Sequence, residues 1–163
     1  MKNYLYKYKN KFWLIQTLFF ILVIMHLSCY ENIISPSGQN IFLDDTCTVL
    51  ITSVTDGDTY EVTEQDDKIR IQVIDFDCYE LKKTNKLLEQ AEFAGIAPDS
   101  AVALGQQAKR LAERLLLNRK VLLVRDSSVS NFDSFSGLNR KVYVNGENIK
   151  EIFKFYGLLA LEE

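Results

Sequence analysis

The chain has 163 residues, enough for one domain with a single hydrophobic core and an N-terminal extension. Its 19 basic and 22 acidic residues give a net charge of −3 at pH 7. Residues 1–29 hold four of the basic residues and none of the acidic ones, so the rest carries 15 basic against 22 acidic residues, a net charge of −7. A domain this acidic is not built to hold duplex nucleic acid by bulk charge, so any phosphate contact must be local.

The first 29 residues form a segment apart from the rest. Four lysines precede an uncharged apolar run of sixteen residues at 12–27, and Cys29 follows shortly after. This pattern is typical of a bacterial export signal. Cys29 is a candidate for the lipidated first residue of the mature protein, so a membrane-tethered lipoprotein and a secreted protein both stay open. The alternative is an uncleaved membrane anchor, although a span needs about twenty apolar residues. We therefore expect a signal peptide or membrane anchor at 1–29, a polar linker at 30–45, and a folded domain at 46–163, exported to the cell envelope.

Three strands joined by tight turns are predicted in the first half of the domain. The first covers 46–54, and Asp-Gly-Asp at 56–58 turns the chain into a second strand at 59–63. A polar turn then leads into an apolar third strand that begins near Lys68. The end of this strand carries three carboxylates, which belong to Asp75, Asp77 and Glu80.

Carboxylates gathered at one strand end repel each other, so they are tolerated most easily where a hard cation or an arginine offsets their charge. Arg70 lies on the same strand, and a hairpin would bring Asp58 of the preceding turn towards Asp77. This pattern is the outline of a divalent-metal site. The alternative is that Asp-Gly is only turn chemistry and the other acids form a solvated strand end.

The second half of the domain predicts helices and two further strands. A weak helical stretch lies near Leu87–Phe93, and a clear helix begins at Pro98, with Asp99 or Ser100 as its cap, and ends at Asn118. The remaining elements are strands at 120–125 and 142–144, a polar loop at 131–137, an Asn-Gly turn at 145–146 and a short helix at 149–156. This order suits an α+β fold, a five-stranded OB-type β-barrel with one long helix between strands 3 and 4 and a short C-terminal helix.

Four motifs between about Cys47 and Ala160 together resemble the staphylococcal nuclease (thermonuclease) family. They are Asp-Gly-Asp-Thr at 56–59, Asp-Cys-Tyr-Glu at 77–80, Gly-Gln-Gln-Ala at 105–108 and Val-Tyr-Val-Asn-Gly at 142–146. The second is similar to the family's Asp-x-Pro-Glu motif, in a Cys-Tyr variant. The order and spacing of the four are more specific than any one of them.

The resemblance implies a calcium-dependent phosphodiesterase that acts on DNA or RNA, with single strands favoured. Asp58 and Asp77 would be the carboxylate ligands of Ca²⁺, and Asp75 is a further candidate ligand. Glu80 would orient or deprotonate the attacking water.

Two arginines would clamp the phosphate in such an enzyme. The family's first arginine position corresponds to Gln72, and Arg70 lies two residues further from the motif, an offset that a bulge in the strand would reconcile. The second position corresponds to Gly137, and Arg140 is the nearest substitute. The alternative for Arg140 is a solvated cation at a strand edge.

The departures at the two arginine positions favour a second hypothesis, a catalytically inactive OB-fold binding module at the cell envelope. In either case the expected partners are nucleic acid and, through the N-terminal segment, the membrane. The sequence carries no sign of an oligomer, so we expect a monomer. Export would allow Cys47 and Cys78 to pair, but the sequence leaves this open.

Overall fold

The computed structural model describes residues 33–34, 40–41, 45–64 and 66–162. The predicted signal peptide or anchor, Cys29 and most of the predicted linker lie outside these residues. A short ribbon of β1 (Ile33–Ile34) and β2 (Asn40–Ile41) comes before the main fold in the chain. Within the described ranges, none of the helices combines the length and the apolar character that a membrane crossing requires.

The main fold contains eight strands and three helices within the described residues. In chain order they are β3 (Thr46–Val54), β4 (Thr59–Glu64), β5 (Asp67–Val73), β6 (Phe76–Cys78), α1 (Asn85–Ala94), α2 (Pro98–Leu116), β7 (Lys120–Val124), β8 (Leu138–Val144), β9 (Glu147–Asn148), α3 (Ile149–Phe155) and β10 (Leu159–Glu162).

Five of these strands close into a barrel. They lie in the order β5-β4-β3-β7-β8 with antiparallel neighbours, and a parallel pairing of β5 with β8 joins the two ends. The long helix α2 connects the third barrel strand to the fourth, and the short helix α3 follows the fifth. The predicted α+β fold with an OB-type barrel is confirmed.

The interior of the barrel is filled by the inward faces of its strands and by one face of α2. Side chains on β8 alternate between buried and half-buried positions, as a strand with one face in a core requires. The fully buried apolar residues include Ile51, Ile71, Leu123 and Val142 from the strands and Leu116 from α2. Burial of each such side chain contributes about 1.5–3 kcal/mol.

A second, smaller apolar cluster lies outside the barrel core. Leu87 and Ala91 of α1 pack there with Ala101 of α2, Ala160 of β10 and Tyr79, which directly follows β6. This satellite cluster therefore holds α1 and β10 beside the end of β6.

The predicted third strand is broken in two. β5 ends at Val73, residues 74 and 75 form a bend, and β6 leaves the barrel to pair with β10, with Cys78 opposite Leu159. The sequence did not predict β10. No disulfide joins Cys78 to Cys47, which lies opposite Leu123 on the barrel strand β7.

One predicted boundary and one predicted helix cap also change. β8 begins at Leu138 rather than at 142, because parallel pairing with β5 recruits a stretch whose polar side chains are typical of a loop. Helix α2 begins at Pro98 as predicted, but its cap is Ala97, without a side-chain hydrogen bond, so the predicted cap at Asp99 or Ser100 is wrong. The predicted turn at Asn145 and Gly146 is confirmed, with positive φ at both residues.

Candidate functional site

The turn at 56–58 points its second carboxylate at β6. Asp58 Oδ2 accepts a hydrogen bond from the backbone N–H of Cys78 at 2.6 Å, so the two predicted acidic motifs meet. Gly57 permits the approach, because a Cβ there would lie 2.5 Å from Cys78 Sγ and 2.8 Å from Ala108 Cβ. The hydroxyl of Tyr60 donates to the Gly57 carbonyl at 2.5 Å and holds the turn from inside the barrel.

The surroundings of Asp58 make its negative charge costly. Burial, followed by the charge of Asp56, raises the pKa of Asp58 well above its ordinary value, and the charge of Asp77 adds to the rise. The hydrogen bond from Cys78 lowers this pKa but does not outweigh the other effects. An ionised carboxylate in such a place gains from a nearby cation. Burial also raises the pKa of the Cys78 thiol, which favours its protonated form.

Asp77 and Glu80 converge on one cation, the ammonium group of Lys86. Lys86 Nζ lies 3.0 Å from Asp77 Oδ1 and 3.0 Å from Glu80 Oε1. Burial opposes the charged form of Lys86, but its hydrogen bonds to the two carboxylates raise the pKa of the ammonium above its ordinary value.

Gln90 lies one helical turn after Lys86 on α1 and fixes the same segment through its side-chain amide. Its Nε2 donates to Asp77 Oδ2 and to the Cys78 carbonyl, each at 2.9 Å, and its Oε1 accepts from the backbone N–H of Glu80 at 3.1 Å. The side chain is buried, so these hydrogen bonds are shielded from water. Helix α1 therefore carries both a charged and a neutral partner for the 77–80 motif.

Arg70 is held at the opening of the 131–137 loop. Its Nη1 contacts Asp133 Oδ2 at 2.5 Å, its Nη2 donates to Gln72 Oε1 at 2.8 Å, and its guanidinium carbon lies 5.4 Å from the ring centre of Phe135. A Cβ built on Gly137 would come 3.2 Å from Arg70 Cγ and 3.3 Å from Nη1. The side chain of Arg70 therefore occupies the space beside Gly137, the position at which the nuclease resemblance predicts a second arginine.

Gln72 connects Arg70 to Asp58. Its Oε1 accepts from Arg70, and its Nε2 lies 3.4 Å from both the carboxylate Oδ1 and the backbone carbonyl of Asp58. Position 72, at which the resemblance predicts an arginine, therefore carries the neutral amide of Gln72. One glutamine separates the guanidinium group from the buried carboxylate.

The other two predicted site residues lie elsewhere. Arg140 points into the barrel and is fully buried, with Nη1 2.6 Å from Asn131 Oδ1 and 2.7 Å from the Asn139 carbonyl. The alternative interpretation of Arg140 as a solvated strand-edge cation is wrong, because β8 begins early enough to turn this position inward. Asp75 is also buried, and its Oδ2 accepts from Asn148 Nδ2 at 2.7 Å, at the N-cap of α3. Its other carboxylate oxygen has no hydrogen-bond partner among the described residues.

Carboxylate oxygens such as those of Asp58 and Asp77 are ligands that a hard cation such as Ca²⁺ prefers. The described residues contain no group of three or more His, Cys, Asp or Glu side chains arranged to hold a metal ion. The fit rests on two observations. Asp77 and Glu80 already share one positive charge, and the charge of Asp77 acts on the buried Asp58.

Sequence reasoning missed Lys86 and Gln90. The available signal was their spacing of four residues, which puts them on one face of a helix. The Thr84 side chain caps this helix by accepting a hydrogen bond from the Leu87 N–H at 3.2 Å. The spacing does not say which neighbour that face meets.

A scan against models of protein families finds no match to this chain, and no curated protein matches it. The nuclease resemblance therefore rests on the four motifs alone.

Proposed function

We propose that this chain is a calcium-dependent phosphodiesterase that hydrolyses DNA or RNA, with single strands favoured. The observation that carries the proposal is the bridge through Gln72, which puts the guanidinium group of Arg70 within one side chain of Asp58. Metal-assisted phosphodiester hydrolysis uses this combination, in which a cationic side chain binds the phosphate beside carboxylates that hold a metal ion and activate water.

Four residues have defined tasks in this proposal. Asp58 and Asp77 would hold Ca²⁺, which supplies positive charge to the phosphate when it is bound. Glu80 would accept the proton of the attacking water, and Arg70 would donate hydrogen bonds to phosphate oxygens in place of its bond to Asp133. Arg140 has no task, because a fully buried guanidinium group does not reach a substrate.

A single-stranded substrate is favoured by the surroundings of Arg70. The ring of Phe135 is 78% exposed and lies next to the guanidinium group. An unpaired base can stack on this ring while its phosphate lies on Arg70, whereas a duplex keeps its bases inside. The exported location and the membrane tether remain part of the proposal and rest on residues 1–29 alone.

The first test is hydrolysis of a single-stranded oligonucleotide by the full chain, with Ca²⁺ or with a chelator, beside Glu80→Gln. We expect calcium-dependent cleavage that the variant loses by a factor on the order of 10² or more. Glu89→Gln is the matched control, because Glu89 is an exposed carboxylate on α1, and it should cleave like the wild type. Equal cleavage by Glu80→Gln and the wild type would reject the assignment of Glu80.

The second test concerns Arg70. Arg70→Gln should lower the cleavage rate by on the order of 10²–10⁵, because a phosphate-stabilising donor is lost. Lys68→Gln removes the same charge from an exposed side chain on the same strand, so it should leave the rate within about twofold. Similar losses in both variants would mean that general charge, rather than the position of Arg70, is responsible.

A binding module without catalysis is the second candidate function. It is favoured by the fact that Arg70 and Lys86 each already contact a carboxylate, so the charges of the site are balanced without a ligand. Under this alternative the chain binds single-stranded oligonucleotide without cleaving it, and Glu80→Gln leaves the affinity unchanged.

A further inference from the structure

We infer that Lys86 is a built-in competitor for the cation site, whose ammonium group holds Asp77 and Glu80 together and has to leave before Ca²⁺ binds. This inference rests on the proposed function and concerns the regulation of the same site. It starts from geometry, because one nitrogen lies 3.0 Å from an oxygen of each of the two motif carboxylates. A divalent ion that binds Asp77 Oδ1 on the side facing Glu80 needs the space that this nitrogen occupies.

The two α1 residues that contact the motif differ in how they are held. Gln90 is buried and contacts Asp77, Cys78 and the backbone of Glu80. The side chain of Lys86 is 54% exposed, so rotation about its own bonds takes the ammonium group into water. Departure of Lys86 therefore leaves α1 and the Gln90 contacts in place, so the Asp77 carboxylate and the backbone of Glu80 keep their positions.

The exchange has an electrostatic reason. With Lys86 absent, Asp77 and Glu80 lie close enough to share a cation but have none, and like charges at this distance repel. Lys86 removes this repulsion in the metal-free protein, and a divalent ion removes it more strongly because it brings twice the charge. Calcium binding is thus an exchange of one cation for another, and its affinity includes the cost of displacing the lysine.

The experiment measures Ca²⁺ binding by calorimetry to the full-length wild type, Lys86→Met and Lys83→Met. Lys83 is a matched control, because it lies in the same segment, is 55% exposed and pairs with Asp99 at 2.7 Å, away from the motif. We expect Lys86→Met to bind Ca²⁺ on the order of tenfold more tightly than the wild type, because two ion pairs no longer compete. Lys83→Met should lie within about twofold of the wild type.

A second readout is the melting temperature. Without Ca²⁺, Lys86→Met should melt below the wild type, and Ca²⁺ should raise its melting temperature by more than it raises that of the wild type, since tighter binding to the folded state stabilises more. Lys86→Arg keeps the charge and should restore weak binding. Tighter Ca²⁺ binding by Lys86→Arg than by the wild type would contradict the competitor role, even if the methionine variant did not fold.

The outcomes separate this inference from the proposed function. Equal or weaker Ca²⁺ binding by Lys86→Met, with calcium-dependent cleavage by the wild type intact, would overturn the competitor role and leave the phosphodiesterase proposal standing. Absence of Ca²⁺ binding by both the wild type and Lys86→Met would overturn the competitor role together with the calcium-dependent function.

Discussion

Gly137 and Arg70 are best understood as a pair. Any side chain at 137 would press against Arg70 and against Asp133 Oδ2, which would lie 3.0 Å from its Cβ. Asp133 is fixed there, because its Oδ1 accepts from the N–H groups of Phe135 and Gly137 at 2.8 Å and 2.7 Å. A chain that carries the guanidinium group on β5 therefore needs a small residue on the facing loop.

Asp58 provides a prediction about pH. Its pKa is raised in the folded protein, mainly by burial, so the folded state keeps this proton to higher pH than the unfolded chain. The free energy of unfolding then falls as the pH rises from the unfolded value of roughly 3.9 through the raised folded value, and it stays lower above that. Asp58→Asn removes this loss and keeps an oxygen acceptor for the Cys78 N–H.

We therefore expect Asp58→Asn to be more stable than the wild type at pH 7, because the asparagine has no charge to bury. The difference should vanish near pH 4. Urea unfolding with a chelator present measures both, and Asp66→Asn, at an exposed turn position, is the control. A variant less stable than the wild type at pH 7 would contradict the assignment of a charge penalty to Asp58.

At the scale of elements, α2 positions the 77–80 motif through a glycine. A Cβ on Gly105 would meet the Tyr79 carbonyl oxygen and would lie 2.7 Å from the Glu80 carbonyl oxygen. Both are backbone atoms, so neither moves without moving the motif itself.

Gly105→Ala should therefore destabilise the fold by about 1–3 kcal/mol, although alanine is the better helix former, and should lower cleavage as well. Gln106→Ala, at the next and exposed position of α2, should change stability by less than about 0.5 kcal/mol. Thermal unfolding of the two variants measures the difference. Stabilisation by Gly105→Ala would mean that α2 moves away from the motif at little cost.

The sequence predicted the barrel because its strands carry their own periodicity and their turns carry Asp-Gly and Asn-Gly. It did not predict β10 or the early start of β8, because both depend on partners distant in the chain, Cys78 for β10 and Ile71 for β8. The acidic residues were also predicted, because they lie in a turn and at a strand end that the local sequence identifies. The partners Lys86, Gln90 and Asp133 were not, since only the packing of α1 and the 131–137 loop brings them to the motif.

At the scale of the whole molecule, stability should be uneven. The barrel core joins five strands and α2, whereas the satellite cluster has only a few residues and depends on α1 and β10. We expect backbone amides of α1 and β10 to exchange hydrogen faster than those of β3, β4 and β7, because local opening of the small cluster exposes less apolar surface. Hydrogen exchange followed by mass spectrometry checks this, and uniform protection would mean that the two clusters unfold as one.

The pairing of β6 with β10 bears on the order in which the protein is synthesised. Leu159 lies 81 residues after Cys78, its strand partner, whereas Lys86 and Gln90 follow within 12 residues. On the ribosome, the acidic motif therefore emerges together with the helix that neutralises it, long before β10 is translated. Lys86 follows the two carboxylates out of the exit tunnel within a few residues, so the pairing of their charges does not wait for β10.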